Sequence, residues 1–169
     1  MFCSKHFSTN FDETFKQQDF SASYGFTNNN SAAFVESDLI FTKNLFYHLF
    51  NEEQNIVELE NQFIQILEKL EVNEGKSYWN NYQKAFAKIR EKLDLDALAF
   101  VNTDPACKSL KEVYLAYPGF YAIAIYRLSH QLVQMNLDIL ARMMSEYAHS
   151  ITGTDIATMS FINSSESIA

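Results

Sequence analysis

The stretch PGFYAIAIYRLSHQLVQM, residues 118–135, determines the fold class because it is apolar on nearly every side. A helix of this composition is buried by neighbours on several sides, whereas a surface helix has a single apolar stripe. Pro118 suits the first turn of such a helix, where the N–H that proline lacks is not needed. A bare buried charge would cost several kcal/mol, so Arg127 is expected to pair with a carboxylate. His130 is predicted to be a core histidine with satisfied hydrogen bonds.

Helical periodicity extends to both sides of this stretch. Upstream, apolar residues recur at spacings of three and four, which is typical of amphipathic helices. A short helix with Ser109 as its N-cap precedes residue 118, and a last helix ends near Gly153. The chain is therefore predicted to be all-α, a bundle of about seven helices with at most one short strand near the C-terminus. The helical stretches before the short helix are residues 37–50, 55–72, 76–93 and 95–102.

Local signals predict where several helices begin and end. Ser37 and Asp38 are expected to open the first main helix, because serine accepts from first-turn N–H groups and a carboxylate suits the positive end. Gly75 is expected to close the second helix in a left-handed conformation. Asp104 is expected at a helix end or in an extended corner, since Pro105 disfavours the α conformation in the residue before it.

The N-terminal region differs in composition from the helical body. It is rich in Ser, Asn, Thr and Phe, and TNNNSAA at residues 27–33 is interpreted as a loop or disordered tract. Phe7, Phe11 and Phe15 recur every four residues, which leaves a short peripheral helix and disorder as open alternatives. The predicted division is a loop-rich arm at 1–37, a helical domain at 38–153 and a non-helical tail at 154–169.

Charge and composition narrow the class of partner. The chain has 169 residues, with 13 Lys plus Arg against 21 Asp plus Glu, and no basic cluster offsets its formal net charge of −8. Neither a nucleic-acid interface nor a polybasic membrane anchor is expected. The longest uncharged run that is mainly apolar, residues 113–126, is shorter than the ~18 residues of a membrane span. No signal peptide is visible at the start, and Cys3 and Cys107 are expected to be reduced thiols. A cytoplasmic, soluble protein is predicted.

The spacing of residues that could carry catalysis does not by itself identify a reaction. The chain has no phosphate-binding glycine loop, no dinucleotide fingerprint and no nucleophile elbow. No two histidines lie three or four residues apart, so no metal site is predicted. The four histidines are His6, His48, His130 and His149.

Three motifs, taken together with their order along the chain, are more informative than any single spacing. DPAC at 104–107, YRLSH at 126–130 and AHSITGTDI at 148–156 occur in the order and at the spacing of the serine O-acetyltransferases of cysteine biosynthesis. The chain resembles that family closely over residues 94–156. The resemblance implies a helical N-terminal domain that mediates assembly, typically into a dimer of trimers. It also implies a left-handed β-helix that forms the acetyl-CoA cleft between subunits, and transfer of the acetyl group to the hydroxyl of L-serine.

The resemblance assigns roles to a few residues. Asp104 and Pro105 match the Asp-Pro that contributes to the serine pocket, and Asp155 matches an aspartate of the catalytic carboxylate set, which orients a histidine base. Where the family pattern continues with the catalytic histidine and a proline, this chain has Ala157 and Thr158. The chain by itself is therefore expected to be inactive and to bind no cofactor, with acetyl-CoA the co-substrate only of the full-length family. Residues 154–169 are interpreted as the interrupted start of the β-helix with an unrelated tail.

Three interpretations remain open at this point. The chain is a serine acetyltransferase shortened by truncation, frameshift or gene fragmentation; or a non-catalytic helical module that self-associates or caps a full-length enzyme; or an unrelated helical ligand-binding bundle. In the family a C-terminal peptide ending in isoleucine often docks into the sulfhydrylase that follows in the pathway. This chain ends Ser-Ile-Ala, so the resemblance gives little reason to expect a cysteine synthase complex here.

Overall fold

The computed structural model describes residues 29–50 and 55–156. Over these residues the fold is all-α, with seven helices and no strand, which confirms the predicted class. The helices are α1 (Asn29–Phe50), α2 (Ile56–Lys69), α3 (Gly75–Lys84), α4 (Phe86–Thr103), α5 (Leu110–Ala116), α6 (Pro118–Val133) and α7 (Asp138–Thr152). None of the helices in this part of the chain is long and apolar enough to cross a membrane.

Helix α6 lies at the centre of the bundle, as its composition predicts. It packs most extensively on α7 and also contacts α1, α4 and α5. Its buried residues lie on every side of the helix rather than along one stripe. Pro118 occupies the first turn, as expected. The buried set in α6 is Phe120, Tyr121, Ala122, Ile123, Ala124, Ile125, Tyr126, Leu128, Ser129 and Leu132.

An aromatic cluster joins α2, α3 and α4 to this central helix. Phe63 lies 5.4 Å from Trp79 and 5.7 Å from Tyr82, measured between ring centroids, and Phe86 packs edge-on against both. The buried Tyr82 hydroxyl donates to the backbone oxygen of Leu128 at 3.1 Å. This bond satisfies the phenol inside the core and attaches α3 to α6.

The first helix begins earlier than the sequence predicts. Helix α1 starts at Asn29, so the loop predicted for 27–33 is wrong from residue 29 onward, and Ser37 is not an N-cap. Ser37 lies inside α1, where its hydroxyl accepts from the Lys69 ammonium at 3.3 Å. The misassignment has a physical reason: Asn and Ser, which favour N-caps, occur both at 28–31 and at 37, and no glycine or proline separates them. Phe7, Phe11 and Phe15 lie outside the described residues.

The end of α2 is also different from the prediction. The left-handed residue is Glu71, with φ of 60°, and the N–H of Val72 donates to the Leu67 oxygen at 2.9 Å, as in a Schellman motif. Gly75 instead opens α3, where a Cβ would lie 3.3 Å from the side chain of Ile64. Close packing therefore explains this glycine, and the prediction that it caps α2 is wrong.

The helix expected over 76–93 is divided at Ala85. The Ala85 N–H donates to the Tyr82 oxygen at 3.0 Å, a three-residue turn, and α4 then runs unbroken to Thr103 through the break expected near 94. Periodicity could not locate this bend, because the apolar residues on both sides of it face the same core and no glycine or proline marks it. The predicted Ser109 N-cap and the helix end near Gly153 are confirmed.

Candidate functional site

Two residues that precede prolines bound the segment between α4 and α6: Asp104 begins a turn before α5, and Tyr117 follows α5. Asp104 lies before Pro105 and ends α4 with φ −97° and ψ 109°. Tyr117 lies before Pro118 and ends α5 with φ −98° and ψ 104°. In both cases the proline ring disfavours the helical conformation of the preceding residue. The extended backbone predicted for Asp104 is therefore confirmed, and Tyr117 has the same extended backbone.

Although α5 separates them along the chain, the two side chains are in contact. The Tyr117 hydroxyl donates to Oδ2 of Asp104 at 2.7 Å, and the Ala106 N–H donates to Oδ1 at 2.8 Å. The backbone oxygen of Asp104 accepts from the Cys107 N–H at 3.0 Å. Each carboxylate oxygen thus accepts one hydrogen bond, and each has further acceptor capacity.

Neighbouring groups hold this turn in place. The ring of Phe100 packs edge-on against Tyr117, with centroids 5.6 Å apart. At the start of α5, the Ser109 hydroxyl accepts from the Glu112 N–H at 3.2 Å, and the Glu112 carboxylate accepts from the Lys108 N–H at 2.9 Å. These bonds fix the first turn of α5 in the manner of a capping box.

The electrostatics of the turn follow from these hydrogen bonds. The Tyr117 hydroxyl and the Ala106 N–H both stabilise the charged carboxylate, which lowers the pKa of Asp104. The same bond, with desolvation and the nearby Cys107, raises the pKa of Tyr117. Asp104 is therefore an anion and Tyr117 a neutral phenol at neutral pH. The arrangement can accept hydrogen bonds from an ammonium or a hydroxyl group.

Replacing Tyr117 with phenylalanine is expected to raise the pKa of Asp104. The hydroxyl is the largest cause of the lowered value, and only the Ala106 N–H remains in the variant. A carboxyl-detected NMR titration of the purified chain measures the change. Tyr114→Phe is the matched control, because the Tyr114 hydroxyl donates to a different carboxylate, Asp94, at 2.9 Å. An Asp104 pKa equal in Tyr117→Phe and in the parent would contradict the assigned hydrogen bond.

The second predicted site residue lies beyond the last helix. Helix α7 ends at Gly153, whose φ of 69° is left-handed and whose N–H donates to the His149 oxygen at 2.7 Å. Three residues later, Ile156 packs against the hydrophobic core. Asp155, between them, is exposed.

The structure does not join the predicted site residues into one constellation. Asp104 follows α4 and Asp155 follows α7, and no hydrogen bond between described residues connects them. Ala157 lies outside the described residues, so its assigned position is not tested. Within 29–50 and 55–156, no group of His, Cys, Asp and Glu side chains could hold a metal ion.

Sequence reasoning missed Tyr117. It assigned Asp104 a substrate contact but no partner within the chain, although the Tyr-Pro dipeptide at 117–118 carries the same signal as Asp-Pro at 104–105. What the sequence could not supply was the distance between the two turns, which depends on how α5 packs against α4 and α6.

Comparisons with known proteins identify relatives of this fold. The family model described as serine acetyltransferase, N-terminal, matches residues 28–125. This match confirms the resemblance drawn from the motifs and removes the unrelated ligand-binding bundle from consideration.

Individual relatives match shorter segments. A plasmid-encoded serine acetyltransferase of Synechococcus elongatus is 43% identical over 75 residues, which are 44% of this chain and 24% of the relative. The serine acetyltransferase of Helicobacter pylori is 43% identical over 56 residues, 33% of each chain. That of Bacillus subtilis is 37% identical over 65 residues, 38% of this chain and 29% of the relative. The chain thus spans between about a quarter and a third of the length of these relatives.

Proposed function

Because the chain belongs to the family of serine acetyltransferase N-terminal domains, we propose that it is the helical part of a serine acetyltransferase. The reaction would transfer the acetyl group of acetyl-CoA to the hydroxyl of L-serine, giving O-acetyl-L-serine and coenzyme A. In this proposal the Asp104 turn contributes to the serine pocket, and Pro105 sets its backbone.

The geometry of Asp104 is the observation that carries this proposal. L-serine presents an ammonium and a hydroxyl, both hydrogen-bond donors, and Asp104 is an acceptor kept ionised by Tyr117 and Ala106. Hydrogen bonds to an ionised carboxylate are stronger than neutral ones. A carboxylate that is already oriented loses little further freedom when a ligand binds.

The role proposed for Asp155 rests on the family pattern and on its place in the chain. The family pattern makes it one of the catalytic carboxylates that orient a histidine base, and it lies two residues after the α7 C-cap, Gly153. No described histidine forms a hydrogen bond with it. Asp155 would therefore act on groups beyond the described residues, and acetyl-CoA would likewise bind outside them.

A chimeric enzyme tests the role of Asp104. Residues 29–153 of this chain replace the region before the β-helix in the Helicobacter pylori serine acetyltransferase, and O-acetylserine formation is followed. In this chimera Asp104→Asn is expected to lower kcat/KM for serine about 10- to 100-fold, the size of a lost charge-assisted hydrogen bond. The KM for acetyl-CoA should not change.

Asp94→Asn is the control in the same chimera. Asp94 also accepts from a tyrosine hydroxyl, that of Tyr114, but it lies within α4, away from the turn. Equal kcat/KM for serine in the Asp104→Asn chimera and in its parent would contradict the serine-pocket role. A chimera that folds but has no activity would contradict the assignment of the whole domain.

A non-catalytic assembly role is the second candidate, and exposed apolar side chains favour it. Leu95 and Leu98, one turn apart on α4, are 62% and 42% exposed. Neighbours at i and i+3 form a continuous apolar surface, which in this family would serve a trimer or a dimer of trimers. Light scattering after size exclusion discriminates: a strictly monomeric species of 19.5 kDa would argue against self-association.

A further inference from the structure

A cleft of about 210 Å³ opens between the start of α4 and the second half of α6. It lies at the opposite end of α4 from the Asp104 turn, and the residues around it are mostly basic or carry side-chain amides. Such a surface is unexpected in a chain with a formal net charge of −8. The basic and amide-bearing residues that line the cleft are Lys88, Lys92, Arg127, His130, Gln131 and Gln134.

The positive charge in the cleft is only partly compensated. Arg127 donates through Nε and Nη2 to the buried Asp96, at 2.6 and 2.8 Å, and this carboxylate neutralises one cation. The third guanidinium nitrogen, Nη1, donates to no group in the described residues. Within the same part of the chain, neither Lys88 nor Lys92 forms an ion pair. Two lysine charges therefore have no counter-ion in the cleft.

These cations repel one another. Lys88 and Lys92 lie one turn apart on α4, a spacing at which like charges destabilise a helix. The pKa of Lys92 is lowered, chiefly by burial and then by the charges of Arg127 and Lys88, while Asp96 partly opposes the shift. An anion placed between these groups would remove the repulsion.

We propose that this cleft binds a phosphate group. At neutral pH a phosphoryl group carries a charge of about −1.5 to −2, which matches the two uncompensated lysines, whereas a carboxylate carries one charge. Lys88 and Lys92 act as point charges, Arg127 donates through Nη1, and the Gln131 and Gln134 amides supply neutral donors. A single water needs only about 10–15 Å³ of such volume, so the cleft holds a phosphate with part of its hydration shell. The inference does not depend on serine acetylation.

The test is an NMR titration of the full 169-residue chain with inorganic phosphate, at pH 7.5 and at an ionic strength held constant with sodium chloride. The side-chain amide signals of Gln131 and Gln134 should shift to a single saturable end point. In Lys88→Gln/Lys92→Gln the dissociation constant should rise at least tenfold. The Lys92 ammonium should show a higher pKa in the phosphate-saturated protein than in the free one.

The matched control is Lys108→Gln/Lys111→Gln. It removes the same net charge from exposed positions that do not line the cleft, so it corrects for general attraction of anions. This control should bind phosphate as the parent does. Unfolding curves for each variant confirm that the fold is retained.

Two further ligands distinguish the source of the phosphate. Tighter binding of adenosine monophosphate than of inorganic phosphate would support an organic phosphate, and binding of inorganic phosphate alone would support the free ion. Acetate at equal ionic strength should not saturate the signals.

Several results would overturn the proposal. They are shifts that do not saturate, acetate binding equal to phosphate binding, and an equal effect of the two double variants. If Lys88→Gln/Lys92→Gln lowers the mass in light scattering while phosphate gives no saturable shift, the cleft is instead an interface with an acidic surface of another copy.

Discussion

Asp38→Asn is expected to raise the free energy of unfolding at pH 7 by about 4 kcal/mol, because a raised pKa at a buried carboxyl opposes folding. Asp38 lies within α1 with a relative exposure of 1%. Burial raises its pKa from 3.8 to about 8, and its Oδ1 has no hydrogen-bond partner among the described residues. The carboxyl group is therefore protonated in the folded chain at neutral pH.

The sign of this effect on the free energy of unfolding follows from comparing the protonation of Asp38 in the folded and the unfolded chain. Below pH 3.8 both are protonated and Asp38 has no effect. As the pH rises toward 8, the unfolded chain loses the proton while the folded chain keeps it, so stability falls by ~1.4 kcal/mol per pH unit. Above pH 8 both states are ionised and the loss is complete. Asparagine, which does not titrate, removes this dependence.

Urea unfolding followed by circular dichroism at pH 4, 6 and 8 measures the effect. The difference in stability between Asp38→Asn and the parent should be near zero at pH 4 and largest at pH 8. Asp155→Asn removes an exposed carboxylate, and this control should change stability by less than about 0.5 kcal/mol. A difference that does not depend on pH would show that Asp38 is not the buried acid described above.

Arg127→Met is expected to destabilise the fold by about 3–5 kcal/mol, the cost of leaving a buried charge without its partner. Arg127 on α6 and Asp96 on α4 form two parallel hydrogen bonds, with side chains 12% and 1% exposed. Methionine fills the space of the arginine stem but provides no donor, so the Asp96 carboxylate remains in the core without compensation.

A double replacement separates the charge from the packing. Asp96→Leu combined with Arg127→Met removes both charges, and its stability should return to within about 1–2 kcal/mol of the parent. The exposed pair Arg142–Glu146, at 3.3 Å and with side chains 78% and 44% exposed, supplies the control. Arg142→Met should change stability by less than about 1 kcal/mol. An Arg127→Met effect as small as that of Arg142→Met, measured by urea unfolding, would contradict the assigned ion pair.

The sequence predicts that Arg127 has a partner but does not identify it. The apolar composition of α6 required a carboxylate partner for Arg127, and the structure supplies one. Which carboxylate it is could not be predicted, because Asp94 and Asp96 lie two residues apart and face different sides of α4. His130, predicted to be a core histidine, is only half-buried and lines the basic cleft.

Asp38 is a clearer failure of sequence reasoning. Its position after Ser37 is typical of a helix start, where a carboxylate is solvated and interacts with the helix dipole. Because α1 begins at Asn29, Asp38 instead lies in mid-helix on the buried face. An error of eight residues in one helix boundary thus changed the expected role of this carboxyl group from favourable to destabilising.

The sequence by itself determined the all-α class, the central position of α6 and the extended backbone of Asp104. These properties depend on local composition, helical periodicity and the steric effect of proline on its neighbour. Only the tertiary structure decided the bend at Ala85, the contact of Tyr117 with Asp104, the burial of Asp38 and the basic cleft. Each of these depends on the distance between side chains that are far apart along the chain, and that distance is set by how the helices pack.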